Sequence, residues 1–406
     1  MAKLLEPTIQ YARNGFPVTE VISHSWSSEA RRLRNQPNFA STFLPGGKAP
    51  LPGNIFRNPD LASSLEKIAK GGLDVFYRGE IARTIDSFCR RVGCFLRFED
   101  LAGHQSDWVE PLSTNYRGYE VWELPPNGQG VTVLQMLNIL EFYDLQSMGH
   151  NTPEYLHHLV EAKKIVYEDR AKFYADPDFN NIPLTDLISK GYANKRRNLL
   201  NTERASKRIP AGEPRLLGGD TIYLTVADQN HNMVSLIQSN YSGLGSGLVP
   251  DSLGFVLQNR GSQFSLENKH FNSYAPRKRP FHTIIPGFVT RNGLPFLSFG
   301  VMGGDMQPQG HLQVISNVVD FGMEPQAALN ALRFMVDRDS VALEEGIPSQ
   351  VVGELQSRGH RTSIISGYQR GITGGFGGAQ LIQRDPATGV LRAASEPRKD
   401  GCAVGW

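Results

Sequence analysis

The sequence predicts an α+β protein in which helices come first and β-hairpins follow. Apolar residues recur at helical spacing through most of the first half of the chain. From Thr221 onwards, short β-rich runs alternate with turn residues. Two further helical patterns lie among these hairpins, and this order of elements favours helices packed in layers on sheets.

Four segments of the first half carry the helical pattern. Asn58 precedes the first and Gly71-Gly72 ends it, which is a good pair of capping signals. The predicted helices cover residues 61–69, 79–94, 131–146 and 154–174. Residues 176–215 are polar, basic and rich in Asn, and this composition predicts an exposed linker.

Three hairpins are predicted in the second half, each from two β-rich runs separated by turn residues. The runs are residues 221–227 with 233–239, 283–290 with 295–301, and 378–384 with 390–395. Between the second and third hairpins, residues 311–320 and 325–334 have helical spacing.

Composition and charge exclude several classes of function. Hydrophobic residues at 40% and charged residues at 20% are typical of a globular chain and not of a disordered one. A net charge of +2 gives no footprint for nucleic acid, and no apolar run has the length of a membrane span. The first residues have no signal-peptide pattern, and the three cysteines form no zinc pattern. We therefore predict a cytoplasmic protein with structural thiols and without nucleic-acid or membrane partners.

The junction between Asp220 and Thr221 is the strongest candidate for chemistry. Gly218 and Gly219 precede it, and Thr221 opens the first β-rich run. If the chain is cut there, Thr221 carries both a hydroxyl and a free α-amine. One residue then supplies a nucleophile and a base, which is what a self-processing amidase requires.

Two glycine-rich segments could supply the backbone N–H groups of an oxyanion hole. They are residues 243–247 and Gly303-Gly304-Asp305. Adjacent glycines let backbone donors approach a substrate without obstruction by side chains. Tight turns are the alternative interpretation of both segments.

One group of residues has metal-ligating side chains. His157, His158 and Glu161 lie on one predicted helix and could in principle bind a metal ion. A packed or solvated histidine pair is the favoured interpretation, so we predict neither a metal nor a cofactor.

Short characteristic segments stand in both halves of the chain. In the first half they are Asn14-Gly15-Phe16-Pro17-Val18, Val75-Phe76-Tyr77-Arg78-Gly79, Tyr116-Arg117-Gly118-Tyr119, Pro125-Pro126 and Asp176-Pro177-Asp178-Phe179. In the second half they are Thr221, Gly245-Ser246-Gly247, Lys278-Arg279-Pro280, Gly303-Gly304 and Ala394-Ser395-Glu396-Pro397-Arg398. Taken together, these segments, which span nearly the whole chain, resemble the γ-glutamyltranspeptidase family.

The resemblance implies an N-terminal-nucleophile hydrolase with an αββα sandwich. The proenzyme would cleave itself before Thr221, giving a large subunit (residues 1–220) and a small subunit (residues 221–406). The Thr221 hydroxyl would then attack a γ-glutamyl amide, such as that of glutathione, and form an acyl-enzyme. Gly303 and Gly304 would hold the oxyanion. Ser239 stands where the family has a supporting Thr.

Five positions that would bind the substrate depart from the family pattern. Gln263 replaces the Asp that binds the α-ammonium group, and Tyr241 and Arg260 replace an assisting Asn and Gln. His282-Thr283 replaces the pair of serines that holds the α-carboxylate. Arg260 would repel an ammonium group and attract an acidic acyl group. An N-acyl amidase of the cephalosporin (glutaryl) acylase type is therefore an alternative.

The family also carries a long N-terminal segment before the part that matches Leu4. Since this chain lacks it, the sandwich is expected to be incomplete at its N-terminus. An export signal would have stood in that segment, which leaves a periplasmic or secreted location open.

Three functions follow from these observations. The first is a self-cleaving γ-glutamyl hydrolase or transferase that acts on a small-molecule amide, and the second is the N-acyl amidase. The third is an unprocessed fragment without activity. Association into a homo-oligomer is left open.

Overall fold

The chain folds into two compact units. In the computed structural model, residues 1–206, 220–367 and 375–406 are described, with Asp220 described by its backbone alone. Unit 1 consists of Met1–Trp108 and Ser242–Asn259, and unit 2 consists of Val109–Tyr241 and Arg260–Trp406. The Gly218-Gly219 pair before the junction lies outside the described residues.

Unit 1 is mainly helical. The predicted cap is present, because the Asn58 side chain accepts a hydrogen bond from Leu61 N at 3.0 Å. Gly243, Gly245 and Gly247 all have positive φ angles and form turns in this unit. The elements are α1 (Ala2–Asn14), β1 (Phe16–Pro17), α2 (Glu20–Leu33), α3 (Phe39–Phe43), β2 (Ile55–Phe56), α4 (Pro59–Gly71), α5 (Leu73–Tyr77), α6 (Glu80–Val92) and α7 (Phe98–Ala102).

Unit 2 contains the six-stranded sheet and the longest helix of the described residues, and its elements come in two sets. Before the junction it has β3 (Leu112–Tyr116), β4 (Tyr119–Glu123), α8 (Gly130–Leu140), α9 (Leu145–Met148), α10 (Pro153–Phe173), α11 (Leu184–Leu187) and α12 (Lys190–Arg197). From the junction onwards it has β5 (Asp220–Ala227), β6 (Met233–Tyr241), β7 (Gly287–Arg291), β8 (Leu294–Met302), α13 (Met306–Val319), α14 (Pro325–Asn330), β9 (Phe334–Asp337), β10 (Ser340–Glu344), α15 (Ser349–Ser357), β11 (Arg361–Ile365), β12 (Gly378–Arg384) and β13 (Leu391–Ser395).

The core of unit 2 is an antiparallel six-stranded sheet with the order β13-β12-β8-β7-β4-β3. On one face, α13 packs closely on β8, since a Cβ atom at Gly310 would lie 2.6 Å from Val301. On the other face lies the β5–β6 hairpin, where Thr225 Oγ1 is 2.7 Å from Ser298 Oγ. Helices, the large sheet and the hairpin therefore form successive layers, and the α+β prediction is confirmed.

The outward face of the β5–β6 hairpin is apolar and exposed. Residues alternate along β5, so that Thr221, Tyr223 and Thr225 face the large sheet and their neighbours face outwards. Five outward side chains are between 43% and 62% exposed: Ile222, Leu224, Val226, Val234 and Leu236.

Several predicted elements were wrong at their boundaries or in type. Strands β3 and β4 stand in the half that was predicted to be mostly helical, and α11 and α12 lie in the predicted linker. The helix predicted over residues 325–334 ends at Asn330, because Phe334 pairs with Leu343 of β10. The second predicted hairpin begins only at Gly287. Before that residue, Ile285 N donates to the Gln307 side chain and Pro286 has no N–H to donate.

None of the helices in the described parts of the chain is long and apolar enough to cross a membrane.

Candidate active site

Thr221 lies at the start of β5 in a buried environment. Its side chain faces the large sheet and only 6% of the residue is exposed. Thr221 Oγ1 donates a hydrogen bond to Ser239 Oγ at 3.2 Å, across the register pair that joins β5 to β6. The structure thus places the predicted nucleophile beside the hydroxyl predicted to support it.

The backbone at the junction is irregular. Asp220 pairs with Tyr241 and Thr221 pairs with Ser239, so Asn240 is an extra residue in β6. Such bulges redirect side chains and are common next to active sites. Tyr241 follows with a φ angle of 79°, a left-handed conformation that a bulky residue rarely adopts. Tyr241 N donates to Ser239 Oγ at 2.8 Å, and this bond fixes the same hydroxyl that accepts from Thr221.

The glycine pair follows β8, the strand under the hairpin. Thr225 contacts Ser298, and Tyr223 packs on Gly300, where a Cβ atom would lie 2.4 Å from the ring. Moving two residues along β5 towards Thr221 thus moves the contact two residues along β8 towards the end of that strand. This progression leads from Thr221 to Met302, and Gly303-Gly304 comes next in the chain.

The conformation of the pair requires glycine. Gly303 has a φ angle of 123° and Gly304 one of 62°. A Cβ atom at Gly303 would also lie only 3.1 Å from the Gly377 backbone.

Two residues that sequence reasoning missed hold the glycine pair in place. The fully buried Gln129 donates from Nε2 to Gly304 O at 2.9 Å and to Thr283 O at 2.7 Å. Its Oε1 accepts from Arg170 Nη1 at 2.7 Å, and Arg170 also forms an ion pair with Asp305. Gln129 and Arg170 precede the glycines by more than a hundred positions, so nothing local in the sequence signals these contacts.

The five residues predicted to bind the substrate form one cluster. Arg260 lies over the ring of Tyr241 at 5.4 Å, and its Nη1 is 3.4 Å from Thr283 Oγ1. Gln263 Nε2 donates to the Tyr241 hydroxyl. A series of contacts therefore joins the predicted site residues in the order Thr221, Ser239, Tyr241, Arg260, Thr283, Gln129 and Gly304.

The electrostatics of this cluster favour a bound anion. Burial lowers the pKa of Arg260 to about 10, so the guanidinium stays charged at neutral pH although its environment disfavours the charge. Burial and the nearby Arg260 cation lower the pKa of His282 to about 3, which keeps the imidazole neutral. A carboxylate placed here would relieve the desolvation of the guanidinium.

The predicted histidine pair does not act as one unit. His158 Nδ1 bonds to Glu154 O within its own helix. His157, Glu161 and His360 do come together, but both ring nitrogens of His157 and both carboxylate oxygens of Glu161 already have protein partners. His157 Nδ1 is 2.7 Å from His360 Nε2, a hydrogen-bond distance, and Lys164 Nζ is 2.6 Å from Glu161 Oε1. The ammonium group of Lys164, which is bound to Glu161, disfavours a metal cation among His157, Glu161 and His360.

Comparisons with known proteins identify the family of the chain. A family model described as Gamma-glutamyltranspeptidase matches residues 1–406. The glutathione hydrolase-like YwrD proenzyme of Bacillus subtilis is 39% identical over 411 residues, which cover 100% of this chain and 76% of the relative. The oxamate amidohydrolase proenzyme of Klebsiella pneumoniae is 32% identical, with coverage of 100% and 76%. The crystal structure of cephalosporin acylase from Bacillus halodurans matches with a TM-score of 0.93 at 42% identity, covering 100% of this chain and 74% of that chain.

Proposed function

The chain belongs to the γ-glutamyltranspeptidase family of N-terminal-nucleophile enzymes, and on that premise we propose that it is a self-cleaving γ-glutamyl hydrolase and transferase. The observation that carries the proposal is the buried Thr221 hydroxyl, hydrogen-bonded to Ser239 at the first residue of the predicted small subunit. Residues 1–220 would form the large subunit and residues 221–406 the small one.

Self-cleavage uses the Thr221 hydroxyl against the carbonyl carbon of Asp220. The C–N bond breaks, the acyl group moves to Oγ1, and the proton lost by the hydroxyl goes to the new amine. Water then hydrolyses the ester, which leaves a carboxylate on Asp220 and a free α-amine on Thr221. Ser239 holds the hydroxyl in one orientation for this attack, as a positioned partner of a nucleophile does.

Turnover repeats the attack on an external amide. The α-amine of Thr221, with an ordinary pKa of about 7.7–8.0, takes the hydroxyl proton near neutral pH. The N–H groups of Gly303 and Gly304 stabilise the oxyanion, each at about 3–4 kcal/mol in comparable sites. The amine product leaves with a proton, and water or an acceptor amine releases the acyl group from Thr221.

The decisive experiment is to determine the intact mass of the purified protein together with its turnover of a γ-glutamyl anilide. We expect two polypeptides, the smaller one beginning at Thr221, and release of the aniline. A single uncut polypeptide without turnover would contradict the proposal.

The cluster around Arg260 favours a second kind of substrate, with an acyl group other than γ-glutamyl. A γ-glutamyl group carries an ammonium group beside its carboxylate, whereas a glutaryl group carries the carboxylate alone. Among the five proposed substrate-binding residues, Arg260 is the one with a side chain charged at neutral pH, and Gln263 offers an ammonium group only a neutral amide. An acidic N-acyl amidase is therefore the second candidate function.

Replacement of Arg260 by Met tests this candidate. We expect kcat/KM for a glutaryl anilide to fall by about 10- to 100-fold, since a hydrogen bond to a charged group contributes about 1.5–3 kcal/mol. A butyryl anilide, which has the same length of chain without the carboxylate, is the control and should change little. Equal losses on both anilides, or faster turnover of the γ-glutamyl than of the glutaryl anilide by the wild type, would count against it.

We also propose a reducing, cytoplasmic location, because Cys89, Cys94 and Cys402 are all free thiols.

A further inference from the structure

The chain upstream of the junction is tied to the core of unit 2 just before the described residues stop. Residues 201–206 follow helix α12, and Ser206 is the last described residue before Asp220. Fourteen residues, 207–220, connect Ser206 to Thr221. Contacts that hold residues 201–206 therefore set the number of residues between the last held position and the scissile bond.

Two histidines provide the first set of contacts that hold residues 201–206. His157 Nε2 is 2.7 Å from Asn201 O, and a carbonyl can only accept, so this nitrogen carries the proton. Burial lowers the pKa of His157 and brings that of His360 to about 4, so both rings are neutral near pH 7. His157 Nδ1 must then accept from His360 Nε2, at 2.7 Å. The tautomers of both rings are set by the carbonyl of Asn201.

The carboxylate of Glu161 provides the second set of contacts that hold residues 201–206. This side chain is fully buried, and its Oε2 accepts from Ser206 N at 3.0 Å and from Ser206 Oγ. Burial alone would raise the pKa of Glu161, but Lys164 and Ser206 hold it below its usual range. Burial of a carboxylate without hydrogen bonds costs free energy, so the two bonds from Ser206 stabilise Glu161 on helix α10. The same two bonds hold Ser206 in place.

Arg358 binds the middle of the segment. Its Nη1 donates to Thr202 O at 2.9 Å, and its backbone O accepts from Ala205 N at 2.7 Å. Polar contacts from two distant parts of unit 2, helix α10 and the residues after α15, thus converge on six consecutive residues that form no helix or strand. A local turn, in which Asn201 Oδ1 accepts from Glu203 N and Arg204 N at 2.9 Å, and these distant contacts together account for the conformation of this segment.

We propose that His157 and Glu161, supported by His360 and Arg358, anchor residues 201–206 so that the chain before Thr221 is positioned for self-cleavage and the new large-subunit terminus stays attached afterwards. This inference rests on the proposed function, and Glu161 is a positioning residue in it. Without the anchor, the last held residue before the junction is Leu200, which is buried in the core, and the connection to Thr221 grows from 14 to 20 residues. Loop-closure statistics alone then slow the encounter by about twofold.

In the test, the precursor is synthesised in a cell-free system and its cleavage is followed over time by intact mass. Because His157 and Arg358 still hold the segment in both single variants, we expect Ser206→Ala and Glu161→Gln to slow cleavage measurably but by no more than about twofold. The double variant should be no slower than Glu161→Gln. Ser357→Ala is the matched control, since Ser357 Oγ donates to Glu354 O on an exposed helix end. Once cleaved, each variant should turn over an anilide at the wild-type kcat, because none of these residues belongs to the proposed site.

Hydrogen exchange of residues 198–206 separates the anchor from the proposed function. Protection in the wild type that is lost in Glu161→Gln supports the anchor, and unchanged protection overturns it. Lost protection with an unchanged cleavage rate overturns the positioning role alone. If the wild type does not cleave, the proposed function and the positioning role both fail, while exchange still decides whether the anchor exists.

Discussion

Thr221→Ala leaves the precursor uncut and lowers anilide turnover by about 10⁴-fold or more. Removal of a nucleophile in comparable enzymes has an effect of this size, because no neighbouring group can form the acyl-enzyme. Thr221→Ser keeps a hydroxyl at the same position and should retain both cleavage and turnover. Intact mass and initial rates measured on the same preparations give both results.

Thr225→Ala is the matched control for this substitution. Thr225 lies on the same strand and the same face, and its hydroxyl also contacts a serine, Ser298 at 2.7 Å. The variant should cleave and turn over normally once folded. Cleavage of the Thr221→Ala precursor at the wild-type position would sink the assignment of the nucleophile.

Glu396→Ala should lower the free energy of unfolding by about 3–5 kcal/mol. Glu396 belongs to a buried cluster of four charges with Arg333, Glu344 and Arg398, and all four side chains are at most 4% exposed. It accepts from Arg333 Nη2 at 2.8 Å and from Ala379 N at 2.8 Å. The substitution leaves Arg333 buried without this carboxylate, which is the costly way to break a buried ion pair.

The corresponding thermal midpoint should fall by about 4–6 °C, given an unfolding entropy of about 2.1 cal/mol/K per residue over 406 residues. Glu324→Ala is the control, because the Glu324–Arg392 pair is 72% and 43% exposed and should contribute about 1 kcal/mol or less. Similar shifts in both variants, measured by differential scanning calorimetry, would show that the buried cluster contributes no more than a surface pair.

Local signals predicted part of this fold well. The cap at Asn58, helix α10 and the β5–β6 hairpin follow from short stretches of sequence and are present. The missed β3–β4 hairpin had a readable signal too. Arg117 and Gly118 both have positive φ angles, as a two-residue hairpin turn requires, and Gly at the second position is typical of it.

The rest could not be predicted because it depends on distant partners. Strand β9 forms where Phe334 N also bonds to the Gln313 side chain, and Gln129 reaches Gly304 across 175 positions. The resemblance to a family supplied Ser239 and favoured Gly303-Gly304 over the other glycine-rich segment, and both roles remain proposals. It did not supply Gln129, Arg170 or the anchor at Glu161, which only the three-dimensional structure brings to the site.

The order of strands in the large sheet has a consequence for how the cleaved protein folds. Strand β4 precedes the junction and pairs directly with β7, which follows it, at Val121 and Val289. Cleavage before Thr221 would therefore divide one sheet and one hydrophobic core between two polypeptides. Unfolding would become a dissociation and refolding a bimolecular reaction, so the melting temperature of the cut form should rise with protein concentration whereas that of uncut Thr221→Ala should not. Folding would then have to precede cleavage for efficient assembly, because the precursor folds as one molecule. Once the two polypeptides of the mature form are separated, they can refold only after they associate.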